Sequence, residues 1–138
     1  MKKIYPVIFT KTESCILVEV PDLEILTEGR NLEEAVEMAR DAIALTIVTL
    51  EDMGKVIPEP TKMKDINILN GTFADAGECF LSLVDADITE YRRKLDTKPV
   101  RRNVSLPGWL NYEAEKAGVN VSRILQEALM NVLGLERR

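Results

Sequence analysis

The last third of the chain switches from a two-residue repeat of apolar side chains to a helical repeat, and this switch limits the folds open to it. Residues 100–107 alternate polar and apolar side chains, as a strand with two different faces does. Pro107 is typical of a helix start, Gly118 of a helix end and Asn120 of the N-cap of a second helix. Apolar residues recur at helical spacing in both predicted helices: Trp109, Leu110, Ala114 and Ala117, then Ile124, Leu125, Ala128, Leu129, Val132 and Leu133.

One strand and two short helices cannot bury that much apolar surface alone. A lone strand also leaves an unpaired edge. The pattern therefore predicts a symmetric homodimer in which two strands pair antiparallel and four helices close over them.

The outward face of such a two-stranded ribbon would carry Arg101, Asn103 and Ser105 from each copy. A ribbon of this width fits the major groove of B-DNA, where Arg can hold guanine and Asn can hold adenine. We expect these three residues to read bases. The alternative at this point is a dimerisation tail whose polar strand face is only solvated.

The start of the second predicted helix is the candidate phosphate site. Its backbone N–H groups and positive dipole end would clamp a phosphate that flanks the groove. The residues expected to do so are Asn120, Val121, Ser122 and Arg123.

Charge is distributed unevenly along the chain. Residues 1–98 hold 12 Lys and Arg against 19 Asp and Glu, a net charge of −7, while residues 99–138 are net +2 and the whole chain is −5. Six of the basic residues fall within residues 91–103. This asymmetry favours an anionic partner at the C-terminal end and a different, basic partner at the other; a solvated linker is the alternative reading of the basic segment.

The N-terminal part predicts an α+β domain of β-β-β-α-β order. Strands are expected at residues 4–10, 15–20, 24–27 and 78–84, and Cys15 and Cys79 are expected to be small core residues. An amphipathic helix is expected at residues 32–53, with Asn31 as N-cap and Glu34 completing a capping box. We expect domains at residues 1–87 and 100–138, joined by a linker at residues 88–99 whose charged residues 88–98 are potentially helical.

Two resemblances cover nearly the whole chain. Residues 100–133 resemble the ribbon-helix-helix domains of Arc and CopG repressors, with Arg101, Asn103 and Ser105 at the base-reading positions and residues 118–122 at the phosphate-binding turn. The N-terminal part is similar to HicB antitoxins through Tyr-Pro-Val-Ile-Phe at residues 5–9, Val-Pro-Asp-Leu at residues 20–23 and Thr-Glu-Gly at residues 27–29. Asn-Leu-Glu-Glu-Ala at residues 31–35 and Val-Ile-Pro-Glu-Pro at residues 56–60 add to it.

The HicB resemblance implies an incomplete ribonuclease-H-like N-terminal domain that masks the active site of HicA, a small basic RNA-cleaving toxin, while the C-terminal domain represses the shared operon by binding operator DNA. The expected toxin contacts are Asp22, Glu24 and Glu28. The chain departs from the family at residues 21–26, which read Pro-Asp-Leu-Glu-Ile-Leu in place of Pro-Asp-Leu-Pro-Gly-Cys. It also carries Arg102 on the inward strand face, where related ribbons have an apolar residue.

Two other classes of function compete with this reading. An RNA- or DNA-cutting enzyme would need carboxylates that converge on metal ions, and the chain has no histidine to serve as general base or ligand. The acidic residues open to that role are Asp22, Glu24, Glu33, Glu37, Asp41, Asp85 and Asp87. A ribbon-helix-helix repressor that senses an organic ligand is the main alternative; we expect no enzyme activity and no cofactor. No apolar run is long enough to span a bilayer, so a cytoplasmic protein is expected.

Overall fold

The first three strands pair in the order in which they occur along the chain. β1 (Lys2–Lys11), β2 (Ile16–Val20) and β3 (Ile25–Gly29) form an antiparallel meander. β4 (Glu78–Asp87) then pairs antiparallel with the free side of β1, which gives the sheet order β3-β2-β1-β4. β1 and β2 are therefore the inner strands, and β3 and β4 are the two edges.

A computed structural model describes all of residues 1–138 and divides them into two units, Met1–Asp96 and Thr97–Arg138. The sheet and α1 (Leu32–Asp52) belong to the first unit. As predicted, the elements of this unit begin with the order β-β-β-α-β, and the Asn31 carboxamide oxygen accepts a hydrogen bond from the Glu34 N–H at 2.8 Å. The fold is mixed α and β, with a four-stranded antiparallel sheet and four helices in all.

α1 closes one face of the sheet and forms the core with it. Gly29, at the end of β3, permits the close approach, since a Cβ there would lie 2.4 Å from the backbone nitrogen of Ala35. Each fully buried aliphatic or aromatic side chain contributes about 1.5–3 kcal/mol. The buried residues of this core are Tyr5, Val7, Phe9, Ile16, Val18, Val20, Leu23, Ala35, Ala39, Ile43, Ala44, Ile47, Val48, Val84, Ala86 and Ile88.

β1 is buried on both of its faces. Its even-numbered residues from Pro6 to Thr10 point away from α1 and are buried too. The connection between α1 and β4, residues 53–77, covers part of this second face, since a Cβ on Gly71 would lie 3.4 Å from the Ile8 side chain. Pro6 is tolerated inside an inner strand because the β1–β2 pairing ends at Ile8 with Glu19, and β2 itself ends at Val20.

The segment at residues 88–99, predicted as a potentially helical linker, is helical in its first part and belongs there to the first unit. Its first eight residues form α2 (Ile88–Leu95), whose N-cap Asp87 accepts the Glu90 N–H at 3.1 Å. Ile88 is buried in the core, and Arg92 bonds to Asp52 of α1 at 2.9 Å. This segment is thus part of the first unit, because the buried Ile88 and the ion pairs of Arg92 with Asp52 and Glu51 attach it to the core and to α1.

The second unit contains two helices. α3 (Gly108–Ala117) ends at Gly118, which adopts φ +66° in the left-handed region that glycine tolerates, and α4 (Val121–Leu133) follows. Residues 100–107, predicted as a strand, form no helix or strand within the one chain. The expected strand pairs with a second copy, so its formation stays a prediction. None of the four helices is both long and apolar enough to cross a membrane.

Candidate partner-binding surfaces

The helices of the second unit bury none of their residues. Their apolar stripe, predicted to be buried, is mostly exposed to solvent in one chain. Ala114, Leu125 and Met130 are the exceptions, and even these are only partly buried. The exposed apolar side chains of this unit are Val100, Val104, Leu106, Trp109, Leu110, Tyr112, Val119, Val121, Ile124, Leu129, Val132, Leu133 and Leu135. An exposed apolar surface of this extent marks an association surface.

The three predicted base-reading residues, Arg101, Asn103 and Ser105, lie at alternate positions in the segment before α3, and all three are exposed. They therefore have the accessibility that contact with a nucleic acid requires. Arg102, noted as a departure, is exposed as well. Their placement on one face of a ribbon depends on the pairing with a second copy.

The predicted phosphate site is a capped helix start. The Asn120 carboxamide oxygen accepts the Arg123 N–H at 3.0 Å, so this side chain already serves α4. The amides of Val121 and Ser122 belong to the first turn, where an α-helix has no internal acceptor for them. Arg123 Nε lies 3.0 Å from Glu127 Oε1, in a pair with both side chains more than half exposed. Such a surface pair contributes little, so Arg123 can turn to a phosphate at small cost.

In the first unit, the predicted toxin contact Asp22 is occupied within the chain. One of its carboxylate oxygens accepts the Thr61 N–H at 3.0 Å and the other accepts the Thr61 hydroxyl at 2.5 Å. The Tyr5 hydroxyl donates to the Pro58 carbonyl oxygen at 2.6 Å, three residues earlier in the same connection. Burial raises the pKa of Tyr5, and the negative charges of Glu59 and Asp22 raise it further. Asp22 therefore positions the connection between α1 and β4.

The carboxylate of Glu19, which the sequence analysis did not predict, also positions the connection between α1 and β4. Glu19 of β2 accepts the Thr72 N–H at 2.9 Å and the Thr72 hydroxyl at 2.6 Å. Together, Asp22–Thr61 and Glu19–Thr72 form two clasps that tie residues 53–77 to β2 and to the turn that follows it. The partners are 39 and 53 positions apart, so no local pattern in one sequence points to either clasp.

The other two predicted toxin contacts lie on an open surface. Glu24 is the one non-glycine residue with positive φ, +55°, which costs roughly 1–2 kcal/mol. The carboxylate of Glu28 and the side chain of Leu26 are both exposed on edge strand β3, two positions apart and hence on the same face. We call Glu24, Leu26 and Glu28 the β3 surface. Leu26, which was not predicted, is an apolar side chain between two acidic ones.

The carboxylates considered for metal catalysis do not converge. Asp22 binds Thr61, whereas Asp85 accepts a hydrogen bond from Arg40 at 3.1 Å. No group of three His, Cys, Asp or Glu side chains is arranged to hold a metal ion. Both cysteines are free thiols, partly rather than fully buried, and the Cys79 Sγ lies 3.1 Å from the Thr10 hydroxyl.

A cleft of about 590 Å³ lies between the β1–β2 hairpin and the start of α1. Its wall is mixed, with Lys11, Arg30 and Glu78 beside the apolar side chains of Leu32 and Phe80. It has the volume of a small-molecule site, but its lining is more polar than such sites usually are.

Comparison with known proteins assigns the chain. A model of the family described as HicB-like antitoxin of bacterial toxin-antitoxin system matches residues 5–128. No curated protein matches. Among solved structures, a toxin-antitoxin complex from Streptococcus pneumoniae is similar, with 24% identity and a TM-score of 0.59 over 95% of this chain and 99% of that one.

Two further structures are similar. The antitoxin HicB of Burkholderia pseudomallei shares 22% identity with a TM-score of 0.50, over 95% of this chain and 96% of that one. A chain of the HicA3 and HicB3 toxin-antitoxin complex shares 26% identity with a TM-score of 0.50, over 62% of this chain and 99% of that one.

Proposed function

This chain belongs to the HicB-like antitoxin family, and on that premise we propose that it neutralises a HicA-like RNA-cleaving toxin and represses its own operon. Met1–Asp96 would bind the toxin and mask its active site, in a fold proposed to be a partial ribonuclease H. Thr97–Arg138 would form a ribbon-helix-helix homodimer on operator DNA. The observation that carries the proposal is the family match, which spans both units.

The proposed toxin surface is the β3 surface. A toxin that grips RNA must present positive charge, and Glu24 and Glu28 face solvent in a part of the chain that is net −7 over residues 1–98. Complementary charge speeds encounter and selects the partner, whereas affinity comes from a few desolvated apolar contacts. Leu26 would supply such a contact. Asp22 would act indirectly, by holding the neighbouring connection through Thr61.

The proposed DNA-binding form is a homodimer because one copy leaves the apolar faces of α3 and α4 open. A second copy would cover these faces and pair the two segments that carry Arg101, Asn103 and Ser105. The Arg and Asn side chains would then reach bases, and the first turn of α4 with Arg123 would hold a phosphate. Lys98 and Arg102, in the leading segment of the second unit, would lie beside the same backbone.

Co-expression with the product of the neighbouring gene, which the proposal expects to be a small basic protein, tests the antitoxin role. Cells should survive with residues 1–96, which have their own core, and should die with residues 97–138. In the full chain, the double charge reversal Glu24→Lys, Glu28→Lys should abolish protection. The matched control is Glu33→Lys, Glu37→Lys on the exposed side of α1, which should protect normally. Protection by residues 97–138 alone, or no complex with the neighbouring protein, would contradict the proposal.

The alternative is a ribbon-helix-helix repressor that senses an organic ligand and has no toxin partner. The observation in its favour is the cleft beside the β1–β2 hairpin, which is large enough for a small molecule. Substitution of Phe80 by Trp would narrow this cleft. Under the antitoxin proposal the variant should protect cells and bind operator DNA as the parent does, whereas loss of ligand-dependent release from the operator would favour the sensor.

A further inference from the structure

The connection between α1 and β4 contains a reactive dipeptide that the proposed function does not use. Asn70 is followed directly by Gly71, and none of the other asparagines in the chain precedes a glycine. The carboxamide carbon of an asparagine is open to attack by the backbone nitrogen of the next residue. A glycine at that next position has no side chain to block the attack, and its backbone reaches the required geometry most easily. Asn70–Gly71 is therefore the most reactive dipeptide of this kind in the sequence.

The structure leaves the Asn70 side chain without a constraint. Asn70 is exposed, and its carboxamide takes part in no hydrogen bond. In contrast, the carboxamide oxygens of Asn31, Asn67 and Asn120 each accept a backbone N–H at 2.8 to 3.0 Å, at the start of a helix or turn. A capping bond of this kind holds the side chain in one conformation. Asn70 can therefore rotate toward the nitrogen of Gly71, whereas the three capping asparagines are held in place.

The backbone around Asn70 is held by weak bonds. Ile68–Asn70 form a single 3-10 turn, in which the Asn70 N–H bonds to the Asn67 carbonyl oxygen at 3.0 Å. The Gly71 N–H bonds to the Ile68 carbonyl oxygen at 3.2 Å. Hydrogen bonds in such turns have poorer geometry than those of an α-helix. A local opening of this turn, without unfolding of the core, thus frees the attacking nitrogen of Gly71.

The surroundings of the dipeptide give the reaction a structural effect. A Cβ on Gly71 would lie 3.1 Å from the Oε1 atom of Glu19. The same oxygen accepts the Thr72 N–H at 2.9 Å, in the clasp that ties the connection to β2. A new carboxylate on residue 70 would arise on the residue next to Gly71, within about a Debye length of Glu19 at physiological salt. The two negative charges would repel each other, and the clasp requires Glu19 to stay close to Thr72.

We propose that Asn70 is a site of spontaneous deamidation and that this reaction loosens the Glu19–Thr72 clasp. The Gly71 nitrogen forms a bond to the Cγ atom of Asn70 and loses its proton, and the amide nitrogen of Asn70 leaves as ammonia. The product is a cyclic succinimide. Water then adds to either ring carbonyl and opens the ring, which gives aspartate or isoaspartate. The net change is the uptake of a water molecule and the release of an ammonia molecule.

Both products act on the connection. Aspartate adds a negative charge beside Glu19. Isoaspartate adds the same charge and also routes the backbone through the former side chain, which lengthens the chain by one carbon just before Gly71 and moves Thr72 relative to Glu19. The Asp22–Thr61 clasp lies elsewhere in the connection and should stay closed. The inference does not rest on the proposed function, since it depends only on residues of the first unit.

Ageing of the full chain in mildly alkaline buffer tests the site. Isoelectric focusing follows the appearance of a more acidic form, and tandem mass spectrometry of the tryptic peptide of residues 65–92 locates the change. The variant is Asn70→Gln, which retains a carboxamide but must close a larger ring, and this closure is slower. The matched control is Asn131→Gln, because Asn131 is also exposed but lies within α4 and precedes Val132. Circular dichroism should show both variants folded, since neither position is buried.

The expected result is that the parent and Asn131→Gln accumulate the acidic form at the same rate, with the change at residue 70. Asn70→Gln should accumulate it severalfold more slowly. A parent that keeps its original charge, or a change that maps to Asn67 or to another asparagine, would overturn the inference. An Asn70→Gln variant that ages at the parental rate would overturn it as well.

Hydrogen exchange at Thr72 tests the effect on the clasp. Asn70→Asp reproduces the aspartate product, and Asn67→Asp places the same charge earlier in the connection, where a carboxylate can still accept the Leu69 N–H. The Thr72 N–H should exchange severalfold faster in Asn70→Asp and in the aged parent, and at the parental rate in Asn67→Asp. Equal exchange in the parent and Asn70→Asp, or equal acceleration by Asn67→Asp, would overturn this clasp as the target of the reaction.

Discussion

The two units are both rich in apolar residues, yet only the first buries them within one chain. In Met1–Asp96, α1 finds a sheet to cover, and Ile43 and Ile47 are fully buried. In Thr97–Arg138, α3 and α4 have the same kind of apolar stripe and bury no residue. Periodicity thus places a helix and its apolar face, but only the rest of the chain decides whether that face is closed. The first unit should be stable by itself, and the second should depend on concentration.

The largest expected effect comes from truncating the closed core. Ile43→Ala removes a fully buried side chain and should lower the free energy of unfolding by about 2–5 kcal/mol at any protein concentration. Leu129→Ala, on the open face of α4, should act mainly through self-association and should be more harmful at low concentration. Urea unfolding at two protein concentrations separates the two behaviours. If Leu129→Ala lowered the free energy of unfolding equally at both concentrations, the two units would not differ in this respect.

Substitutions in the second unit should weaken operator binding without changing the fold of the first unit. Arg101→Ala and Asn103→Ala should each weaken binding by about 1–3 kcal/mol and relax sequence preference, and Arg123→Ala should weaken binding to all sequences alike. The measurement is titration of operator and unrelated DNA at fixed salt. Normal repression by the double variant Arg101→Ala, Asn103→Ala would show that the segment before α3 does not read DNA.

The clasps of the first unit should contribute less than its core. Thr61→Val removes the hydroxyl that bonds to Asp22 and retains the backbone N–H, so it should cost about 1 kcal/mol. Thr72→Val is the parallel change at Glu19. Thermal unfolding of residues 1–96 measures both. If each substitution instead cost as much as Ile43→Ala, the connection between α1 and β4 would be an integral part of the core.

The smallest expected effect is on acid stability. The Glu90 N–H, above all, lowers the pKa of Asp87 below its ordinary 3.8, against a smaller opposing effect of desolvation. A carboxyl with a lowered folded-state pKa stabilises the fold above the unfolded pKa, and this is lost as pH falls through the folded pKa. Asp87→Asn retains an N-cap that does not titrate. The free energy of unfolding, measured at a series of acid pH values, should therefore fall less steeply with decreasing pH in the variant than in the parent. If parent and variant lost stability identically as the pH falls, Asp87 would not contribute to acid stability in this way.

The sequence was sufficient for the elements whose signals are local. The Asn31 N-cap, Gly118 and Asn120 define helix ends through contacts within a few residues, and each was placed correctly. The Glu34 carboxylate, in contrast, accepts hydrogen bonds from Arg30 instead of completing the predicted capping box.

The segment of α2 was predicted to be potentially helical but was assigned to the linker, because its composition is dominated by charge; the structure shows that it belongs to the first unit, with Ile88 buried. Its attachment depends on Asp52 of α1, 40 positions from Arg92.

The candidate surfaces were only partly predictable for the same reason. Glu24 and Glu28 proved accessible, whereas the Asp22 carboxylate is engaged by Thr61 from a distant loop. Leu26 was not predicted as a surface contact, because an apolar residue in a short strand is ordinarily buried. The placement of Arg101, Asn103 and Ser105 on a ribbon remains a prediction, since it is a property of two chains.

The proline inside β1 has a consequence for how this sheet can vary. Because Pro6 has no N–H, residues added to the end of β2 would find no donor there, and a longer β2 would gain no backbone pairing. Pro6 thus limits the length of β2 and determines where along the sheet the chain turns towards β3. In this register the residue that would face Pro6 is Pro21, which has no N–H either. The two prolines together therefore end the β1–β2 pairing, and a Pro6→Val substitution alone would leave β2 no longer than it is.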